Sequence, residues 1–90
     1  MPHSITVEPV GDGRYRVTVD EGGSRSVHEV TVSADERARY APGVPAERLL
    51  EASFEFLLAR EPKEAILSRF TLSTIERYFP EYGREIRGLV

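Results

Sequence analysis

The chain has 90 residues, with 12 Lys and Arg against 15 Asp and Glu, a formal net charge of -3 and 40% hydrophobic residues. A chain of this length buries roughly 60 to 70% of the surface its unfolded form exposes, which allows one core, one domain over residues 1–90 and no enclosed cavity for a large substrate. The acidic balance weighs against nucleic acid and anionic membrane as partners, and the lack of cysteine removes disulfides, thiolate metal sites and cysteine nucleophiles.

The opening Met1-Pro2-His3-Ser4-Ile5 has no basic stretch followed by an apolar run, and no window approaches the ~18 apolar residues of a membrane span. A cytoplasmic protein is expected. Residues 4–32 read as three short strands joined by glycine turns. Ile5 and Val7 alternate with Ser4, Thr6 and Glu8, and Tyr15, Val17 and Val19 alternate with Arg14, Arg16 and Thr18. Gly11-Asp12-Gly13 and Gly22-Gly23 supply the turns. In the third strand His28, Val30 and Val32 share one face and Val27 falls on the other, so either a bulge shifts the register or Val27 is partly exposed.

Residues 34–88 read as helical. Ser33 with Glu36 forms a capping box for a short helix to Tyr40, ended by Ala41-Pro42-Gly43. Pro45 opens a helix to Arg60 in which Ala46, Leu49, Leu50, Ser53, Phe54, Leu57 and Leu58 recur at helical steps. Phe56 lies outside that stripe, which predicts two neighbours for the helix. Pro62 can open a further helix with Ile66, Leu67 and Phe70 on one side. Leu72, Ile75, Phe79, Tyr82, Ile86 and Leu89 then continue at three- and four-residue steps, with Ser73 and Glu76 as a second capping box. Pro80 and Gly83 interrupt this seam, so it is either one kinked helix or two short ones. The fold class expected is α+β: an N-terminal three-stranded antiparallel meander packed against a C-terminal layer of three to four α-helices.

Few residues suggest chemistry. The two histidines lie far apart in sequence, and neighbours on a strand, such as His28 and Glu29, point to opposite faces, so no metal or other cofactor is expected. No nucleophile elbow or phosphate-binding glycine loop is present, and Glu61 and Glu64 beside Lys63 fit a helix start, so no catalytic residues and no enzyme activity are expected. Arg14, Arg16 and Arg25 could form a basic stripe on the open sheet face, although Glu8 and Glu29 lie close enough in register to neutralise it. Two surfaces remain. Phe56, Tyr78, Phe79 and Tyr82, with Tyr40 and Phe70, form an aromatic set suited to a protein partner or homodimer if exposed. The alternative is a degenerate helix-turn-helix in residues 62–82, carried by the spacing of Ala65, Phe70, Ile75 and Tyr78, with Arg77, Arg84 and Arg87 as nucleic-acid contacts. Its acidic surroundings, and a basic residue only at Arg77 on the would-be reading helix, argue against it.

The run Ser53-Phe54-Glu55-Phe56-Leu57-Leu58-Ala59-Arg60-Glu61-Pro62-Lys63-Glu64-Ala65-Ile66-Leu67 leads to Phe70-Thr71-Leu72-Ser73 and then to Ile75-Glu76-Arg77-Tyr78-Phe79-Pro80-Glu81-Tyr82. Over residues 45–86 the chain resembles a family of small bacterial proteins with no assigned activity. The resemblance implies a bacterial cytoplasmic protein and brings no site residues with it. The function expected is therefore a non-catalytic interaction or regulatory module.

Overall fold

Two glycine turns set the sheet. Gly13 takes φ 68°, and Gly22 and Gly23 take φ 57° and 82°, a conformation that costs glycine little and matches the twist of a tight hairpin. The computed structural model describes residues 3–90. Strands β1 (His3–Gly11), β2 (Arg14–Glu21) and β3 (Ser24–Thr31) form the expected antiparallel meander. Pairing of β2 with β3 is regular throughout, so no bulge lies at Val27. That side chain faces outward and is 50% exposed, while His28, Val30 and Val32 are buried. The single irregularity of the meander falls in β1, between Pro9 and Gly11.

Downstream, the structure corrects the expected run of helices. The helices α1 (Ala34–Tyr40) and α2 (Ala46–Leu58) form as expected, and Ser33 and Glu36 complete their capping box, with Glu36 N–H donating to Ser33 Oγ at 3.0 Å and Ser33 N–H to Glu36 Oε1 at 2.8 Å. The segment after Pro62 is not a helix. Lys63–Ala65 makes one 3₁₀ turn, and Arg69–Thr71 is a fourth strand, β4, parallel to β3 at the sheet edge. The reason is a two-residue alternation that the helical reading passed over. Phe70 and Leu72 are buried while Arg69 and Thr71 are exposed, which fits an edge strand with one face on the core. The α+β class holds, with a four-stranded mixed sheet in place of three antiparallel strands. The first helix of the expected helix-turn-helix in residues 62–82 therefore does not exist, and that reading falls.

Pro80 separates two helices, α3 (Thr74–Tyr78) and α4 (Tyr82–Leu89). The second capping box is absent, since no side chain caps α3 at Ser73. Glu36 of α1 takes its place, its Oε2 accepting Ser73 N–H at 2.7 Å. The carboxylate freed from capping, Glu76, accepts the Tyr40 hydroxyl at 2.7 Å. The helices α1 and α3 thus exchange carboxylates. Burial pushes the Glu36 carboxyl up, but donation from Ser33 and Ser73 outweighs it and holds the pKa below its ordinary value.

Between these layers, α2 buries two faces, as the off-stripe position of Phe56 predicts. Toward the sheet, Phe54 packs on His28 and Phe70, with ring centroids 5.2 and 6.2 Å away. Toward α4, Phe56 meets Tyr82 edge-on at 5.3 Å and Phe79 at 5.9 Å. Ser53 donates to Leu49 C=O at 2.7 Å, so the buried Tyr82 hydroxyl, 2.7 Å from Ser53 Oγ, is the donor in that pair.

Candidate functional site

The departure from helix at Pro62 leaves a groove. Leu57 from α2, Ile66 after the 3₁₀ turn, Phe70 of β4 and Ile75 of α3 make its buried floor, and its volume is about 270 Å³. Its rim carries Leu67, 46% exposed, and Tyr78, 66% exposed. Phe79, half-buried, closes one end. The lining is apolar apart from Thr74 and Glu61, and Glu61 is half-buried with no ion pair or side-chain hydrogen bond among the described residues.

Buried polar groups hold this architecture in place. His28 Nδ1 lies 2.8 Å from Leu67 C=O and Nε2 lies 2.8 Å from Ser26 Oγ. A carbonyl only accepts, so Nδ1 carries the proton and, in the neutral ring, Nε2 accepts from the Ser26 hydroxyl. His28 therefore fixes the chain at Leu67 on the groove rim, a structural role played from within the core. The chain's sole lysine, Lys63, is buried, with Nζ 2.7 Å from Glu64 and 3.7 Å from Glu21. Its hydrogen bond to Glu64 holds the ammonium pKa above the ordinary value against the opposing effect of burial. The ion pair of Lys63 with Glu21 links the 3₁₀ turn to the β2–β3 hairpin, and Glu64 pairs with Lys63 within the turn instead of capping the helix expected there.

The aromatic set divides. Phe56 and Tyr82 are buried in the core, which corrects the expectation that they share a partner surface, because the α4 layer covers them. Arg60 closes that cluster from outside, its guanidinium 3.6 Å from the centre of the Phe56 ring and paired with Glu81 and Glu85. Tyr78 and Phe79 do line the groove. Leu67 and Glu61 were missed as site residues; the alternation over Arg69, Phe70, Thr71 and Leu72 could have taken Leu67 out of a helix, but nothing in the sequence marks Glu61.

The basic residues do not assemble into a reading surface. Arg77, Arg84 and Arg87 are exposed, but Arg77 sits on a five-residue helix and Arg87 donates to Arg39 C=O at 3.1 Å, closing α1 against α4. On the open sheet face, opposite charges alternate across all four strands. Glu8 opposes Arg16, Arg16 opposes Glu29, and Glu29 opposes Arg69. Arg25 is paired with Asp20 at 2.7 Å. The Arg14, Arg16 and Arg25 stripe is thus largely neutralised in register.

Among the described residues no group of three or more His, Asp or Glu could hold a metal ion, and no helix is long and apolar enough to cross a membrane. Every buried side-chain nitrogen and oxygen among them has a hydrogen-bond partner. Compared with protein-family models, with curated proteins and with solved structures, the chain matches none.

Proposed function

We propose that the protein is a non-catalytic interaction module of the bacterial cytoplasm that receives an amphipathic segment of a partner protein in the groove between β4 and α3. The occupant carries one or two bulky apolar side chains for the floor over Leu57, Ile66 and Phe70, and a Lys or Arg beside them for Glu61. One observation supports this reading above the others: an unpaired, half-buried carboxylate stands at the wall of an otherwise apolar groove with Leu67 and Tyr78 at its rim. Exposed apolar side chains concentrated at a concave site mark an interaction surface, and a lone carboxylate there selects a cation. The resemblance over residues 45–86 points to a bacterial cell.

The test is fluorescence polarisation with two labelled helical peptides, identical in their paired leucines one turn apart and differing only in a flanking Lys or Glu. The Lys peptide should bind more tightly, and Glu61→Gln should abolish the preference. Tyr78→Ala, at an exposed position, should weaken both by about 1 kcal/mol or more without changing the melting temperature. Failure of either peptide to bind, or a preference that survives Glu61→Gln, refutes the reading.

A further inference from the structure

At the opposite edge of the sheet from the groove, β1 offers a row of unpaired backbone groups whose phase can be worked out. Glu29 N–H donates to Ser68 C=O at 2.8 Å, so Glu29 turns its backbone toward β4 and away from β2. Its cross-strand partner Arg16 therefore turns its backbone toward β1. Alternation carries this along the ladder, so Arg16, Thr18 and Asp20 bond to Glu8, Thr6 and Ser4. His3, Ile5 and Val7 are left with N–H and C=O directed at the open edge. Pro9 has the same phase and shows what that means, since its missing N–H falls on the unpaired side, where proline is tolerated.

Edge strands are usually blunted by charge, proline, bulges or shortness. The other edge, β4, is three residues long and carries the exposed Arg69. In β1 the proline and the bulge come only at Pro9 and Gly11. The stretch Ser4-Ile5-Thr6-Val7 before them is uncharged, free of lysine and rich in β-branched residues. Ile5 and Val7 pack against the core yet remain half-exposed, because no further strand covers them.

We infer that a second copy of this chain pairs antiparallel with β1, about a two-fold axis at Thr6, to join the two sheets into one. This register places Ile5 opposite Val7 of the second copy, and each such pair exchanges two N–H···O=C bonds. The half-exposed aliphatic side chains then cover one another on the inner face. Thr6 meets Thr6 on the outer face, a favourable cross-strand pair. Glu8, already opposite Arg16, meets Ser4 of the second copy, so no like charges face each other. The occupant is a second copy and not a foreign strand because the edge is its own complement in donors, acceptors, apolar side chains and charge.

The experiment is sedimentation velocity on the full chain from micromolar to millimolar concentration. A reversible monomer–dimer equilibrium is expected. Val7→Pro removes an N–H that no intrachain bond uses, and should abolish the dimer while leaving the far-ultraviolet circular dichroism unchanged. Val7→Ala keeps that N–H and should weaken association less than the proline does. Disulfide trapping is independent of proline tolerance: Thr6→Cys lies on the axis and should cross-link, whereas Ser4→Cys, two residues away on the same face, should lag several-fold behind. A wild-type chain that stays monomeric throughout, a Val7→Pro dimer as tight as wild type, or equal cross-linking of the two cysteine variants each overturns the inference. None of these results bears on the groove, which lies beyond β4.

Discussion

Toward the sheet, α2 presents Phe54 to His28 and Phe70 in a region otherwise filled by Val17, Val19 and Val30. Toward α4, it presents Ser53 and Phe56 to Tyr82 and Phe79, in a cluster where Ser53 and the two tyrosines, Tyr40 and Tyr82, are held by directed hydrogen bonds. On the first side stability depends mainly on filled volume. On the second it depends also on which group donates to which, because an orphaned buried hydroxyl costs more than a lost contact. One helix thus supports two interiors that should fail in different ways.

The comparison can be broken by substitution. Phe54→Ala removes the central ring of the sheet side and should destabilise the fold by about 3 to 5 kcal/mol, read by urea denaturation. Ser53→Ala strands the Tyr82 hydroxyl and should cost about 1 to 3 kcal/mol. Tyr82→Phe leaves Ser53 still donating to Leu49 C=O, so it should cost only about 0.5 to 1.5 kcal/mol. The double variant should cost less than the sum of the two, since both touch one bond. Equal losses from the two single variants would refute the assigned donor direction.

The smallest effect concerns pH. The Glu36 carboxyl is held below the 4.5 of an unperturbed group, so the folded state binds its proton less readily than the unfolded state does. Its stabilising contribution is complete above that unfolded value and is lost as pH falls through the lower folded value. Glu36→Gln should therefore lower the melting temperature at neutral pH. The gap to wild type should narrow with acidification below about 4.5, as followed by circular dichroism, and a gap that stays constant would sink the role given to this carboxylate.

The meander, the Ser33 cap and the two-sided α2 were legible because each is encoded locally: by glycines at hairpin turns, by a residue triplet spacing and by helical periodicity. The strand at Arg69 was not, because three residues carry little periodic signal and their pairing partner, β3, lies beyond two helices in sequence. Glu76 misled for a related reason. Its spacing from Ser73 satisfies a capping box, but tertiary contact with Tyr40 and Arg39 wins the carboxylate, and Glu36 supplies the cap from a distance. Of the candidate site, Tyr78 was legible as an off-stripe aromatic. Phe56 has the same signature and is buried, since a helix with neighbours on both sides has no exposed flank to spare. Glu61 could not be singled out, because what distinguishes it is the absence of a partner in space.

Because β4 joins β3 only after α1 and α2 have been laid down between them, it closes a long loop before any contact rewards the closure. The hairpins β1–β2 and β2–β3 assemble from near neighbours, so the meander should form early and β4 late, and native-state hydrogen exchange should find the amides around Phe70 opening before those of β2. On that order the recess that β4 helps to wall should be complete only in molecules that have finished folding, and whatever docks there would discriminate mature chains from incomplete ones.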